Sequence, residues 1–251
     1  VKVHRRPRVA VICTGSELIR TGRVPLPGQK VSSNEVLLAS LLQEQGCCLV
    51  RSTRVQDKLK AIVEQVEEIL EQDKADLLIS TGGTGPGKFD LMEQVVTGLQ
   101  GSPRYNLLKI RPGKSTLFAM IDNTPLFALP GPPPAVRLLF HELIVPGLAC
   151  LQGLAKTKFA DPGFCAGFCA GLVDAVLTEP VRLHRTGHLA LKTAKATLSD
   201  GQLQVRPTKK QESMNAIMHL ACTNDGKGGP GEIKSNQLVK VRLIRPLELL
   251  R

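Results

Sequence analysis

The sequence predicts a three-layer α/β domain, a mostly parallel sheet with helices on both faces, followed by a small, mostly antiparallel β domain. Two observations carry this expectation. Residues 1–153 alternate short apolar, β-branched runs with amphipathic stretches, the order that parallel strands joined by covering helices require. From 154 to 251 the chain becomes Gly- and Ala-rich and then shows only short alternating runs.

Taken in order, Arg8 to Cys13 is an apolar run suited to a central strand. Ser32 to Gln45 places Val36, Leu37, Leu41 and Leu42 at helical spacing, opens on the capping types Ser32, Ser33 and Asn34, and stops at Gly46. Cys48 to Val55 reads as a strand. Asp57 then caps a helix whose inner face is Ile62, Val63, Val66, Ile69 and Leu70. Asp76 to Ser80 is a third strand, and the glycine-rich loop from Thr81 to Phe89 leads to Asp90, read as the cap of a helix with Met92, Val95, Val96 and Leu99 inward. Two strands flank Arg111-Pro112-Gly113-Lys114, and a turn at Asp122 to Pro125 leads to Leu126–Leu129. After Pro130-Gly131-Pro132-Pro133-Pro134, an apolar helix from Ala135 to about Gln152 closes the domain. The second domain is read from Val181–Leu183, Leu189–Thr193, Leu203–Val205 and Leu238–Ile244.

Composition narrows the function. The 251 residues carry 33 Lys and Arg against 22 Asp and Glu, a net +11 that favours anionic partners. Trp is absent and Tyr occurs once, so no aromatics interleave with the basic residues to stack bases, and a small anionic ligand fits better than nucleic acid. No run of about 20 apolar residues suggests a membrane span, and Val1 to Val9 has no apolar leader core, so a soluble cytoplasmic chain is expected. The seven cysteines form no CxxC or zinc spacing and read as reduced thiols.

The chemistry sits in the loops. Doubly wound sheets bind ligands beyond the carboxyl ends of their strands. Thr14-Gly15-Ser16-Glu17, Gln56-Asp57 and Thr81 to Asp90 all fall there. Repeated glycine brings backbone amides close to phosphate oxygens, so the turn at Gly82, Gly83, Thr84 and Gly85 is expected to cradle one. Gly82 to Lys88 matches G-x-x-x-x-G-K, but Phe89 stands where a P-loop needs Ser or Thr, which argues against an NTPase. Glu17, Asp57 and Asp90 end three different strands and could converge on magnesium; for Asp57 and Asp90 plain helix capping is the competing reading. Arg111 and Lys114 offer a fork and a point charge to an oxyanion, with a solvated basic loop as the alternative. His141 on its apolar helix reads as structural.

Five blocks taken together, RRPRVAVICTGSEL (Arg5 to Leu18), SNEVLLASLLQEQG (Ser33 to Gly46), DLLISTGGTGPGKFD (Asp76 to Asp90), RPGK (Arg111 to Lys114) and LPGPP (Leu129 to Pro133), resemble the molybdopterin molybdenumtransferase (MoeA) family. The resemblance continues more weakly through Lys209 to Ala221 and Leu238 to Ile244. It implies a molybdopterin-binding α/β domain plus the family's C-terminal β domain, without the N-terminal region of full-length members. It also implies insertion of molybdate into adenylylated molybdopterin with release of AMP, assisted by Mg2+. Glu17, Asp57 and Asp90 would then hold magnesium, and Arg111 and Lys114 molybdate. Thr14, Gly15, Ser16, Asn34, Gly82, Gly83, Thr84, Gly85, Pro130, Gly131 and Pro133 would bind the pterin ligand. A homo-oligomer, and contact with other proteins of cofactor biosynthesis, follow from the same resemblance.

Four positions depart from the family pattern: Ser16, Ser32 and Gln56 replace usual acids, and Pro132 replaces an asparagine. Arg111 also replaces a lysine. The TGGTG form is shared with the sister adenylyltransferases. Adenylylation of molybdopterin, or pterin binding by a scaffold without turnover, are therefore the competing functions.

Overall fold

In a computed structural model, residues 1, 3–84, 91–154, 171–183, 187–221, 231–245 and 247–249 are described. The chain forms two compact units, Val1–Leu108 with Ser115–Phe168, and Lys109–Lys114 with Cys169–Arg251. The six residues Lys109–Lys114, expected within the first domain, thus belong to the second unit.

The elements of the first unit are β1 (Arg8–Thr14), β2 (Leu18–Ile19), β3 (Lys30–Val31), α1 (Ser33–Glu44), β4 (Cys48–Val55), α2 (Leu59–Glu68), β5 (Leu77–Thr81), α3 (Leu91–Gly98) and β6 (Ser102–Tyr105). The two-residue β7 (Ile110–Arg111) lies in the second unit, after which β8 (Leu117–Ile121), β9 (Thr124–Leu129), α4 (Pro133–Leu139) and α5 (Val145–Leu151) complete the first. The sheet order is β4-β1-β5-β9-β8-β6. Strands β4, β1, β5 and β9 run parallel, whereas β8 and β6 return antiparallel at one edge. Pro103 lacks a ladder donor, which suits β6 to the edge and hid it from a propensity reading.

Alternation along β1 divides the core between two faces. Ala10 and Ile12 pack with Ile62 and Val66 of α2 and with Met92 and Val96 of α3. Val9, Val11 and Cys13, fully buried, point to the opposite face, where α1 and α4 meet. Phe118 and Phe127, opposite each other on β8 and β9, stack with centroids 4.5 Å apart.

A π-helical turn, Phe140–Ile144, joins α4 to α5, so Pro133–Leu151 is continuous helix. By length and composition it could cross a membrane, contrary to the expectation that no segment would. Its apolar face is instead core: Val136, Leu139, Phe140, Ile144 and Leu148 are buried.

The second unit continues with β10 (Leu172–Leu177), β11 (Val181–Leu183), β12 (Leu189–Ser199), β13 (Gln202–Pro207), β14 (Ala216–Leu220), β15 (Gly231–Ile233), β16 (Leu238–Leu243) and β17 (Glu248–Leu249). Strand β13 pairs with both β10 and β12, which closes β12-β13-β10-β16-β14 into a small barrel. Its narrow interior accounts for the alanines: Ala175, Ala194, Ala196 and Ala216 are buried beside Val205, Met218 and Val241. Those alanines, weak in β-propensity, are why β10 and β14 escaped the sequence reading.

Arg206 grips Glu212 with both guanidinium nitrogens, at 2.8 and 2.6 Å, and the Lys209 amide adds a third donor at 2.8 Å. The Arg206 fork, then the Lys209 amide, pull the Glu212 carboxyl down to about 2. A depressed folded-state value contributes stability that is complete above the ordinary carboxylate range and is lost as pH falls toward about 2. Glu212→Gln should therefore flatten the acid limb of the melting temperature between about pH 5 and pH 2. An acid limb as steep as the parent's would contradict this role.

Candidate functional site

The parallel register brings four strand ends to one edge. Thr14 lies opposite Val55, Cys13 opposite Thr81, and Thr81 opposite Leu129. The chain leaves β1 toward β4 on one side and leaves β5 on the other, so the adjacent ends of β1 and β5 form the switch point where such sheets open a crevice.

A cleft of about 470 Å³ lies there. Thr14, Gly15 and Glu17 line it from the loop after β1, Asp57 from the loop after β4, and Thr81, Gly82 and Gly83 from the end of β5. Gly131, Pro132 and Pro133 line it from the loop after β9, and Ser32, Ser33 and Asn34 from the start of α1. Of the three acids expected to converge with the glycine turn, Glu17 and Asp57 line this cleft. Gly85 and Asp90 lie outside the described residues. Thr84 is buried and Pro130 half-buried, neither among the lining residues.

Several details differ from the sequence reading. Asp57 is not a helix cap: α2 starts at Leu59, its N-cap position is Lys58, and no side chain caps it. The Asp57 carboxylate instead accepts the Ser16 amide at 3.4 Å, which ties the first two loops together. Asn34 does not cap α1 either. Its amide nitrogen donates to the Gly131 carbonyl at 2.8 Å and to Thr81 Oγ1 at 3.2 Å, joining three loops through one side chain. Arg54 at the end of β4 holds Glu35 in the first turn of α1 at 2.9 Å, which anchors the helix start beside the cleft. The Gly82 amide, expected to face a phosphate, donates to the Leu129 carbonyl at 3.0 Å, and the Gly15 amide donates to the Val55 carbonyl at 3.1 Å.

Glycine at position 82 is a packing requirement. Its φ is +89°, and a Cβ there would meet the Thr14 carbonyl oxygen at 2.5 Å. Beneath it Thr14 Oγ1 is buried with no hydrogen-bond partner among the described residues, as is Asn34 Oδ1. Buried polar atoms left unsatisfied are costly, and their gathering at this cleft marks a place for ligand groups. The Thr81 hydroxyl donates to Cys13 Sγ at 3.4 Å, and burial pushes that thiol up.

Two carboxylates, Glu17 and Asp57, share the cleft with one lysine, Lys30, that the sequence reading passed over. Its signal was faint: a lysine after Pro-Gly-Gln looks like a solvated turn residue. Among the described residues no three His, Cys, Asp or Glu side chains gather as a metal site. Two carboxylates nonetheless suit magnesium, which takes one or two together with substrate phosphates.

Arg111 lies in the second unit, where it lines a separate cavity of about 330 Å³ with His188 and Lys192. Burial lowers the Lys192 pKa, and its ammonium donates to the Arg182 carbonyl at 3.0 Å. Lys114 ends the same six-residue segment.

The family described as a probable molybdopterin binding domain matches residues 10–149. The curated molybdopterin molybdenumtransferase of Nostoc sp. is 35% identical over 159 residues, 62% of this chain and 36% of that protein. That of Staphylococcus epidermidis is 30% identical over 245 residues, 97% of this chain and 55% of that protein. The chain spans about half the length of the Staphylococcus relatives it matches. Among solved structures, a molybdopterin biosynthesis MoeA protein from Pyrococcus horikosii shares the fold, with a TM-score of 0.69 at 22% identity over 96% of this chain and 55% of that one.

The steric reading of Gly82 is testable against Gly22, whose φ of +91° is similar but whose surroundings are open. Gly22→Ala should cost about 1 kcal/mol from backbone strain alone. Gly82→Ala should cost roughly 3 kcal/mol or more in urea unfolding, because the β1 and β5 ends must separate. Equal costs would show that contact with Thr14 does not matter.

Proposed function

Because the chain belongs to the molybdopterin-binding domain family as a MoeA-type member, we propose that it acts in molybdenum cofactor biosynthesis, inserting molybdate into adenylylated molybdopterin with release of AMP. The observation that carries this reading is the meeting of Glu17 and Asp57 with the Gly82 turn at the carboxyl ends of β1, β4 and β5. Glu17 and Asp57 would hold magnesium, joined by Asp90 as the resemblance implies. Their two carboxylates would place the metal where it would supply charge neutralisation to the ligand's phosphates. Thr14 Oγ1 and Asn34 Oδ1 would take up donors of the pterin ligand, and the wall of Pro132 and Pro133 would keep the cleft rigid. Arg111 and Lys114 would hold molybdate, as the resemblance implies. A cytoplasmic homo-oligomer remains the expected setting.

The departures at Ser16, Ser32 and Gln56 favour a second reading, a protein that binds the pterin without turnover. One assay separates them: molybdate-dependent AMP release from adenylylated molybdopterin, read beside calorimetric binding. Turnover that falls about a hundredfold in Glu17→Gln and in Asp57→Asn supports the enzyme. Rates unchanged by both substitutions reject the assigned roles. Tight binding with no turnover in the parent chain supports the second reading instead.

A further inference from the structure

We propose that Lys30 is the residue by which the cleft selects phosphorylated ligands, a role that rests on the cleft being the ligand site. Three observations converge on it.

The first is position. Strands β2 and β3 pair in parallel with Leu18 opposite Lys30 and Ile19 opposite Val31. The Lys30 amide donates to the Glu17 carbonyl at 2.8 Å, and the Ser32 amide donates to the Ile19 carbonyl at 3.0 Å. This two-strand clasp holds Lys30 on the cleft, three residues before the first turn of α1, although the intervening loop is exposed.

The second is charge. Glu17 and Asp57 make the cleft repulsive to an anion, and Lys30 is the cationic side chain among the described residues that line it. Its ammonium is in no ion pair among the described residues, so it is free to receive a ligand oxyanion. The rest of the unit offers little help, since most of the chain's positive excess falls in Lys109–Lys114 and Cys169–Arg251.

The third is the loss of alternative donors. The amides of Gly15 and Gly82 are bonded to neighbouring strands, so the glycine turns hold the sheet edge together at those two points rather than a phosphate. Those two amides are closed to an anion, and Lys30 stands next to the helix start at Ser32 and Ser33, where the dipole is favourable.

Calorimetry with AMP, adenosine and inorganic pyrophosphate on the parent chain, Lys30→Ala and Lys30→Arg tests this. The parent should bind AMP more tightly than adenosine. Lys30→Ala should weaken AMP and pyrophosphate about tenfold while leaving adenosine unchanged, and Lys30→Arg should restore most of the loss. Since Lys30 is exposed, matching melting curves verify that both variants fold. If Lys30→Ala keeps the full preference for AMP, the role of Lys30 is overturned and the cleft reading stands. If the parent binds neither AMP nor pyrophosphate, the cleft reading fails, and the role of Lys30 with it.

Discussion

The near contact between the Thr14 carbonyl and the Gly82 backbone, at the ends of the neighbouring strands β1 and β5, is the constraint from which the cleft follows. No side chain fits between them. With Gly82 bonded to Leu129 and Gly15 to Val55, four strand ends become one rigid rim, and every loop that leaves it starts from a fixed place. Rigid rims position loop residues more accurately than loops position themselves. Asn34 completes the arrangement by tying the start of α1 to the ends of β5 and β9.

That rim also separates what glycine does from what it is usually taken to do. The sequence TGGTG invites a reading in which each amide faces an anion. In this fold the first glycine serves close packing and its amide serves the sheet, which is what turns the proposal of anion recognition toward Lys30 and the helix start. Glu17, Asp57 and Lys30 together make a mixed-charge cleft, suited to a ligand that brings negative charge and a metal together.

Much of the first unit was legible because its strands are apolar runs and its helices are periodic; β1, α1, β4 and β5 lie within a residue or two of their expected bounds. Convergence of Glu17 and Asp57 was legible too, since topology alone places loops after parallel strands on one edge. Asp57 misled as a cap because the same residue type serves both purposes, and only the Ser16 amide decides between them. The place of Lys30 on the cleft was invisible because it depends on a clasp between two-residue strands, too short to leave a pattern. In the second unit, alanine-rich strands closed into a narrow barrel carry little β signal, and β14, buried on both faces, shows no alternation.

The detour of Lys109–Lys114 has an architectural consequence. Strand β7 joins β12 of the second unit in parallel, Ile110 beside Leu189, yet it is encoded in the midst of the first. The chain therefore passes between the two units three times, and the smaller one is assembled from two separate stretches of gene. A cassette cut between Phe168 and Cys169 would carry away the barrel but strand one of its ribbons behind. Shuffling by single-point fusion is closed to such a pair, and the two units inherit one another as a set.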